Sequence, residues 1–268
     1  METRFIVGLF ASLLVAGAAY KKRSLSRSGA AAAVLLGTLM YALGDLRWYG
    51  LLLVFFITSS LLSHRKKREK REVENLFAKT GTRDWLQVAA NGGLGLVAVL
   101  GAYVTSNMEG WYAVYIGMMA AVTSDTWATE IGVLARGKPR YIFTGHRVEP
   151  GTSGGISSLG LLASLAGGVC IGMFALLFSL LAGGEATLLY VAAGAVGGMA
   201  GSLADSALGA AWQRMYRCAV CGRDTERTAH CGRPTAVTKG YAWCTNDVVN
   251  MAASLIGGAV AGAIWYWK

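Results

Sequence analysis

The chain has 268 residues, of which 54% are hydrophobic and only 15% are charged. Because soluble domains carry roughly a quarter charged residues, this composition excludes an ordinary soluble globular protein and is typical of a multi-pass helical membrane protein. The net charge of +10 would also suit a nucleic-acid-binding protein. The positions of the basic residues along the chain instead relate this charge to membrane topology, as described below.

Eight apolar segments are predicted to form transmembrane helices: Phe5–Tyr20, Gly29–Gly44, Trp48–Ser63, Leu86–Thr105, Trp111–Ala135, Gly155–Leu181, Ala186–Gln213 and Val248–Trp267. They predict an all-α polytopic helix bundle that forms one integral membrane domain over residues 1–268. The first three are short against the roughly 20 residues that cross a hydrocarbon core, so one of them could be re-entrant. The first is predicted to be retained, because no small-residue cleavage site of a signal peptide follows it.

The basic residues predict the orientation of the bundle. If the eight segments alternate in direction, 22 of the 25 Lys and Arg residues fall on one side, and only Arg4, Arg47 and Lys268 fall on the other. The positive-inside rule makes the first side cytoplasmic, with loops at 64–85, 136–154 and 214–247, and places both termini outside. We therefore expect a protein of the cell membrane that contacts anionic lipid and needs no nucleic-acid partner. The charge run at 64–74 is expected to be a solvated cytoplasmic helix.

The fifth segment contains a polar stretch, Thr123-Ser124-Asp125-Thr126-Trp127-Ala128-Thr129-Glu130. Ionisable groups within a membrane are rare and usually face a protein interior, an ion or a substrate. A polar cluster that only hydrogen-bonds neighbouring helices is the alternative. Asp125 and Glu130 are about 140° apart on an ideal helix, so either the helix breaks near Thr126 or the two acids have different tasks.

Other polar residues are predicted to lie at the same cytoplasmic depth. In the seventh segment Gly197, Gly201, Asp205, Gly209 and Gln213 recur at intervals of four, which places an acid within a seam of closely packed helices. Asn91 lies in the first turns of the fourth segment. Asn246 and Asp247 stand at the start of the eighth, with Asn250 one turn later, and there helix capping by Asn246 or Asp247 is the alternative. Carboxylates with Asn and Ser nearby are the oxygen ligands that Mg²⁺ takes, usually together with substrate phosphates.

The stretch Gly151-Thr152-Ser153-Gly154-Gly155 is predicted to open the sixth helix and to offer backbone N–H groups to phosphate. It is not a P-loop, because no Gly-Lys-Ser/Thr follows, and a plain flexible turn is the alternative. Arg140 and Arg147 lie shortly before it and are the predicted phosphate-binding cations.

The loop at 214–247 contains Cys218-x₂-Cys221 followed by His230-Cys231. In a reducing compartment this spacing predicts a structural zinc site formed by Cys218 and Cys221 with His230 or Cys231. Adjacent residues such as His230 and Cys231 do not easily both bind one ion, so the fourth ligand stays open and an ordinary linker is the alternative.

The polar motifs together resemble a multi-pass membrane family that includes plant phytyl-phosphate kinase and animal transmembrane protein nineteen. The motifs are Ser124-Asp125-Thr126-Trp127-Ala128-Thr129-Glu130-Ile131-Gly132, Asn91-Gly92-Gly93, Pro150-Gly151-Thr152-Ser153-Gly154-Gly155, Asp205-Ser206-Ala207-Leu208-Gly209-Ala210 with Gln213, and Asn246-Asp247 with Asn250. The resemblance implies a kinase that converts an isoprenoid monophosphate into its diphosphate.

On this basis we expect a Mg-dependent transferase that uses a nucleoside triphosphate, CTP or ATP, and a prenyl phosphate. The expected catalytic residues are Asp125, Glu130, Asp205 and Asn91, with Asp125 and Asp205 holding Mg²⁺. The expected supporting residues are Ser124, Thr126, Gln213, Asp247 and Asn250. A transporter of cations or of a phosphorylated lipid is the alternative, although transporter sites usually lie near the midplane between repeats. The oligomeric state stays open.

Overall fold

The computed structural model describes residues 2–65, 72–79, 81–184 and 187–267. The long helices in that part of the chain are α1 Glu2–Lys21, α2 Arg27–Leu39, α3 Leu46–His64, α4 Trp85–Thr105, α5 Met108–Gly132, α6 Ser158–Leu181, α7 Leu189–Ala211 and α8 Asn246–Tyr266. A π-helical turn, Met40–Gly44, extends α2. Among the described residues, seven of these helices are long and apolar enough to cross a membrane. The predicted all-α polytopic bundle is confirmed.

Helix α5 is the long helix outside that set of seven. It is also the centre of the bundle, packed against α3, α4, α6, α7 and α8. Its residues from Tyr112 to Ser124 are nearly all buried. A helix surrounded by other helices can carry polar residues that would be costly against lipid. The helix is continuous through Thr126, so Asp125 and Glu130 lie on different faces of one straight element.

Small residues bring α5, α7 and α8 close together, as the interval-four pattern predicted. A Cβ atom added to Gly197 would lie 2.8 Å from the backbone oxygen of Gly257 on α8. One added to Gly201 would overlap the Cβ atom of Ala121 on α5. The seam therefore places Asp205, one turn beyond Gly201, directly beside α5.

The other end of the bundle is held by a half-buried charge network. Arg47 donates 2.8 Å to Glu109 and 3.1 Å to Asp45, and Tyr190 donates 2.6 Å to the second oxygen of Glu109. The guanidinium also lies 5.2 Å from the ring centre of Tyr112. These charges compensate one another and link α3, α5 and α7.

Short strands occupy the loops at the polar end of the bundle, which we define by the C-terminal ends of α3, α5 and α7 and the N-terminal ends of α4, α6 and α8. Strands β1 Arg140–Tyr141 and β2 Gly155–Ile156 pair antiparallel. The β-unit, residues 215–239, consists of β3 Met215–Arg217, β4 Asp224–Thr225, β5 Ala229–His230, β6 Arg233–Pro234 and β7 Ala236–Lys239. Its sheet has the order β4-β3-β7, and β5 and β6 form a hairpin.

These strands were not predicted, because strands of two to four residues leave no periodic pattern. The sixth helix was predicted to begin at Gly155, but it begins at Ser158 with Ser157 as its N-cap, since Gly155 and Ile156 belong to β2. The predicted helix in the charge run falls largely on residues 66–71, outside the described part of the chain.

Candidate functional site

A cavity of about 310 Å³ opens at the polar end of the bundle. Its lining comes from α3 to α8, from the segments 73–79 and 81–83, from the loop 150–157 and from the β-unit. Of the predicted catalytic and supporting residues, it is lined by Asn91, Asp125, Thr126, Glu130, Asp205, Gln213 and Asn250. Polar residues from separate segments thus meet in one cavity, as their shared predicted depth implied.

Asp125 and Asp205 lie in direct contact at the bottom of this arrangement. Their side chains are within hydrogen-bonding reach of each other. Oδ1 of Asp205 is buried, and no N–H or O–H group in the described part of the chain donates to it. Two adjacent carboxyl groups in a buried site repel each other when both are ionised, so a proton or a cation must compensate them. The pair has the chemistry of a site for a divalent cation.

Glu130 has different neighbours from Asp125. Oγ of Ser63 donates to it at 2.5 Å, and it lies near Arg83. Arg83 donates 2.9 Å to Ser60 and lies over the rings of Phe55 and Phe56. Burial lowers the pKa of Arg83, and the charge of Glu130 opposes that effect. The helix does not break near Thr126, and the two acids have different neighbours. Of the two alternatives from the sequence, the structure therefore supports different tasks for Asp125 and Glu130.

The glycine-rich loop lines the cavity through all five predicted residues, Gly151, Thr152, Ser153, Gly154 and Gly155. It does not open a helix directly, because its last residue, Gly155, belongs to β2, and Ile156 and Ser157 come before α6. The amides of Thr152 and Gly155 are bonded within the loop, to Glu149 and Thr152 respectively. A Cβ atom added to Gly154 would overlap Ala210, so this glycine permits the loop to lie against α7.

Neither Arg140 nor Arg147 is among the cavity-lining residues of the described chain. Both are exposed, and Arg140 donates 2.9 Å to the carbonyl of Gly145 within its own hairpin. The cations that do line the cavity are Lys79 and Arg83. Neither was predicted, because both lie within a long basic loop, where the pattern of charges indicates only the topology.

Lys79 links the segment before α4 to the start of α8. Its ammonium group lies 2.6 Å from Asp247 and 3.0 Å from Asp84. Burial lowers the pKa of Lys79, but the two carboxylates more than offset this and raise it. Burial also opposes ionisation of Asp84, yet hydrogen bonds from the Gln87 amide and from Lys79 leave its pKa lowered. The suggested capping of α8 by Asn246 or Asp247 is wrong, because Thr245 is the N-cap residue.

Gln213 and Glu226 connect the glycine-rich loop to the β-unit. Gln213 accepts a hydrogen bond of 3.1 Å from Ser153 and donates one of 2.8 Å to Glu226. The second oxygen of Glu226 accepts 3.0 Å from the amide of Ala78. Burial raises the pKa of Glu226, while these two donors oppose the rise. Glu226 lines the cavity and was not predicted, because nothing in its local sequence marks it.

Ser124 is the predicted supporting residue with a purely structural contact. It is fully buried and donates 2.7 Å to the backbone oxygen of Ser164, which ties α5 to α6. Thr126 lines the cavity, but its hydroxyl donates 2.8 Å to Val122 within its own helix.

A second, apolar crevice of about 60 Å³ adjoins the cavity. Helices α1 to α4 line it, mainly with Ala, Leu, Val and Phe side chains. The two spaces share Arg83, Gln87 and Asn91 as lining residues. The polar cavity thus lies next to an apolar space between helices, an arrangement that suits a ligand with a polar head and an apolar tail.

The cysteine and histidine residues of the β-unit lie together. The ligand atoms of Cys218, Cys221, His230 and Cys231 are all within 4.8 Å of one another. The three cysteines are free thiols. Adjacent His230 and Cys231 were not expected to bind one ion together. The left-handed backbone of Cys231, at φ 53°, nevertheless places its thiol 3.3 Å from Nδ1 of His230.

Comparison with known proteins agrees with the motif resemblance. Residues 10–258 match the family described as "Integral membrane protein DUF92". Protein PGR of Arabidopsis thaliana is 35% identical over 285 residues, with 96% of each chain covered. An uncharacterised membrane protein of Methanocaldococcus jannaschii is 32% identical over 274 residues, with 99% of this chain and 97% of its own covered.

A third relative is the chloroplastic protein VTE6 of Arabidopsis thaliana. It is 26% identical over 254 residues, with 93% of this chain and 68% of its own covered. No solved structure matches the chain. The match over most of the length, together with the two relatives above 30% identity, shows that this multi-pass integral membrane protein belongs to the DUF92 family.

Proposed function

We propose that this protein is a membrane-embedded lipid-phosphate kinase, which transfers the terminal phosphoryl group of CTP or ATP to a prenyl monophosphate of the phytyl type. The observation that carries the proposal is the paired carboxyl groups of Asp125 and Asp205 in a polar cavity that adjoins an apolar crevice. The paired acids suit a cation, the polar cavity suits phosphate groups, and the crevice suits a prenyl tail.

In the proposed reaction, an oxygen of the prenyl monophosphate attacks the γ-phosphorus of the nucleotide. A new phosphorus–oxygen bond forms, and the bond from the γ-phosphorus to the β–γ bridging oxygen breaks. The products are the prenyl diphosphate and a nucleoside diphosphate. A phosphate oxygen is already nucleophilic at neutral pH, so the protein has mainly to position the two substrates and to neutralise charge.

The residues present fit Mg²⁺. A buried carboxylate oxygen of Asp205 that receives no hydrogen bond from the described residues, next to a second carboxyl group, is a typical cation ligand set. Asp125 and Asp205 would hold the ion, and the amides of Asn91 and Asn250 line the same cavity. When bound, Mg²⁺ would neutralise charge on the phosphate groups.

Two protein features would hold the phosphates themselves. Arg83 and Lys79 are the cations of the described cavity lining, in place of the predicted Arg140 and Arg147, and Lys79 is paired with Asp84 and Asp247 in this structure. The glycine-rich loop at 151–155 permits close approach of a phosphate to the backbone. Arg83 lies where the cavity meets the apolar crevice, which suits the junction between a phosphate group and its prenyl tail.

The motif resemblance to the family that includes plant phytyl-phosphate kinase supports the same substrate class. The distribution of basic residues supports an orientation in the cell membrane with the cavity on the cytoplasmic side. Nucleoside triphosphates would reach the cavity from that side, and the prenyl phosphate would enter from the membrane.

The test is phosphorylation of phytyl monophosphate by the purified protein in detergent, with Mg²⁺ and either CTP or ATP. We expect phytyl diphosphate and nucleoside diphosphate in equal amounts. Asp125→Asn and Asp205→Asn should each reduce turnover by orders of magnitude, because they keep the shape of the side chain and remove its charge. Glu149→Gln is the matched control, since it removes an exposed carboxylate at the same end of the bundle.

Wild-type turnover in both Asn variants would contradict the two-acid site. If the wild-type protein phosphorylates no prenyl phosphate with any nucleoside triphosphate, the kinase proposal is wrong. Gradient-driven flux of a cation or of a phosphorylated lipid into vesicles would then test the transporter alternative.

A further inference from the structure

The β-unit carries a cluster of side chains that the proposed kinase reaction does not use. None of Cys218, Cys221, His230 and Cys231 is among the described residues that line the cavity. Yet their four ligand atoms lie within 4.8 Å of one another, on two separate turns that are nine or more residues apart in the chain. Three thiols and an imidazole are a typical donor set of structural zinc sites.

The distances agree with tetrahedral coordination of one ion. With Zn–S near 2.3 Å and Zn–N near 2.0 Å, a sulfur and a nitrogen ligand are about 3.5 Å apart. Nδ1 of His230 lies 3.5 Å from Sγ of Cys221 and 3.3 Å from Sγ of Cys231. These two pairs are thus already at the separation that the ion requires, and the other ligand atoms lie within 4.8 Å.

The backbone of both turns supports this arrangement. Each turn ends in a Cys-Gly pair, and Gly222 and Gly232 have φ angles of 70° and 74°, which L side chains rarely adopt. The amide of Gly222 donates 2.9 Å to the carbonyl of Cys218, which closes the first turn around the two thiols. The second turn closes the hairpin between β5 and β6, next to His230.

The β-unit is too small to be stable by its own apolar core. It spans residues 215–239, and apolar residues such as Val220 and Val237 are more than half exposed. Segments of this size usually need a disulfide or a metal ion to hold one conformation. The thiols here are free, so a disulfide does not stabilise the β-unit, whereas its Cys and His side chains can bind a stabilising metal ion.

We propose that Cys218, Cys221, His230 and Cys231 bind one structural zinc ion, and that this ion holds part of the cavity wall in place.

Residues 225–227 connect the β-unit to the cavity wall by hydrogen bonds. Thr225 donates 2.6 Å to the carbonyl of Leu76, and Glu226 accepts 3.0 Å from the amide of Ala78. Arg227 donates 2.7 Å to the carbonyl of Phe77. Segment 76–79 lines the cavity through Leu76, Phe77 and Lys79.

The first test is metal analysis of the full-length protein purified without added metal. We expect about one zinc ion per chain, as a four-ligand site requires. The double variant Cys218→Ser, Cys221→Ser should lose it, and Cys170→Ala, which changes a cysteine of α6 outside the cluster, should keep it. Because the double variant could fail to fold, the wild-type protein is also treated with a chelator and refilled with Co²⁺, which should give the visible absorption of thiolate-bound tetrahedral cobalt.

The second test is limited trypsin digestion of the wild-type protein before and after zinc removal. Cleavage after Lys79 should become faster without zinc and should return to its original rate when zinc is added back. Cleavage after Arg136, in the exposed loop before β1, is the internal control and should not change. Neither test depends on kinase activity.

Two results would overturn the proposal. If the purified protein holds no zinc and gives no cobalt spectrum, the four residues are not a metal site. If zinc is present but its removal leaves cleavage after Lys79 unchanged, the ion does not hold the cavity wall.

Discussion

Lys79 lies 2.6 Å from Asp247, although the two residues are 168 positions apart in the chain. The same ammonium group reaches Asp84, the N-cap residue of α4. One side chain thus ties the cavity wall at 76–79 to the first turns of both α4 and α8. The contact is also the point at which a predicted supporting residue, Asp247, meets a cation that the sequence did not single out.

Lys79→Met should lower the thermal stability of the protein in detergent. About a third of the Lys79 and Asp84 side chains is exposed, so the expected loss is roughly 0.5–1 kcal/mol. The change in melting temperature measures it. Lys138→Met removes an exposed ion pair with Glu149 and should have almost no effect. An equal decrease in melting temperature in the two variants would mean that the contacts of Lys79 with Asp84 and Asp247 add no more stability than an exposed ion pair.

The stability difference between wild type and Lys79→Met should depend on pH at both extremes. The folded-state pKa of Asp84 is lowered from 3.8, so its contribution is present above that pH and is lost as pH falls through the folded value. The folded-state pKa of Lys79 is raised from 10.5, so its contribution is present below that pH and is lost as pH rises through the folded value. Between these limits the difference should stay constant, and a steep change near neutral pH would contradict the assignment.

Gly201→Ala should destabilise the bundle by about 1–3 kcal/mol, because the added methyl group overlaps Ala121 and forces α5 and α7 apart. Gly17→Ala is the matched control. Gly17 lies on α1 with no atom within 4 Å of an added Cβ, so there the helix-favouring alanine should be neutral or slightly stabilising. Thermal unfolding of the two variants measures the difference. Similar melting temperatures would mean that close packing of α5 against α7 at Gly201 is not needed for stability.

The orientation of the bundle can be tested with single added cysteines. Trp267 and Phe143 are both strongly exposed, and they lie at opposite ends of the bundle. Trp267 follows the C-terminal end of α8, and Phe143 lies in the loop after β1 at the polar end. The positive-inside rule predicts that a membrane-impermeant maleimide labels Trp267→Cys in intact cells, and labels Phe143→Cys only after the membrane is opened. Each variant is compared with wild type to subtract native cysteines. The reverse pattern would make the polar end extracytoplasmic and would separate the cavity from the cell's nucleotides.

The apolar crevice should set the length of the prenyl tail if the proposed function is right. Ala33 lines the crevice, so Ala33→Phe should fill it and lower kcat/KM for phytyl phosphate roughly ten-fold more than for geranyl phosphate, which has a shorter tail. Ala31→Phe places the same side chain on the exposed face of α2 and should leave the ratio unchanged. An unchanged ratio in both variants would place the tail elsewhere.

The sequence alone was sufficient for the helices and for the acidic centre of the site. Backbone groups in a bilayer must bond within their own segment, so apolar runs of sufficient length predict helices well. Asp125 and Asp205 were both predicted because an ionisable residue in an apolar segment is costly anywhere except facing another helix. The glycines at intervals of four indicated that another helix packs closely against α7, and only the structure shows that the neighbours are α5 and α8.

Only the tertiary structure decided which loop residues complete the cavity. Arg140 and Arg147 precede the glycine-rich loop in sequence, yet the antiparallel pairing of β1 and β2 directs this hairpin toward solvent. Lys79, Arg83 and Glu226 line the cavity instead. Glu226 and Lys79 are held there by hydrogen bonds to Ala78 and Asp247, between segments 148 and 168 residues apart. Loop residues carry no periodic pattern, and their positions depend on long-range contacts that form only when the helices have packed.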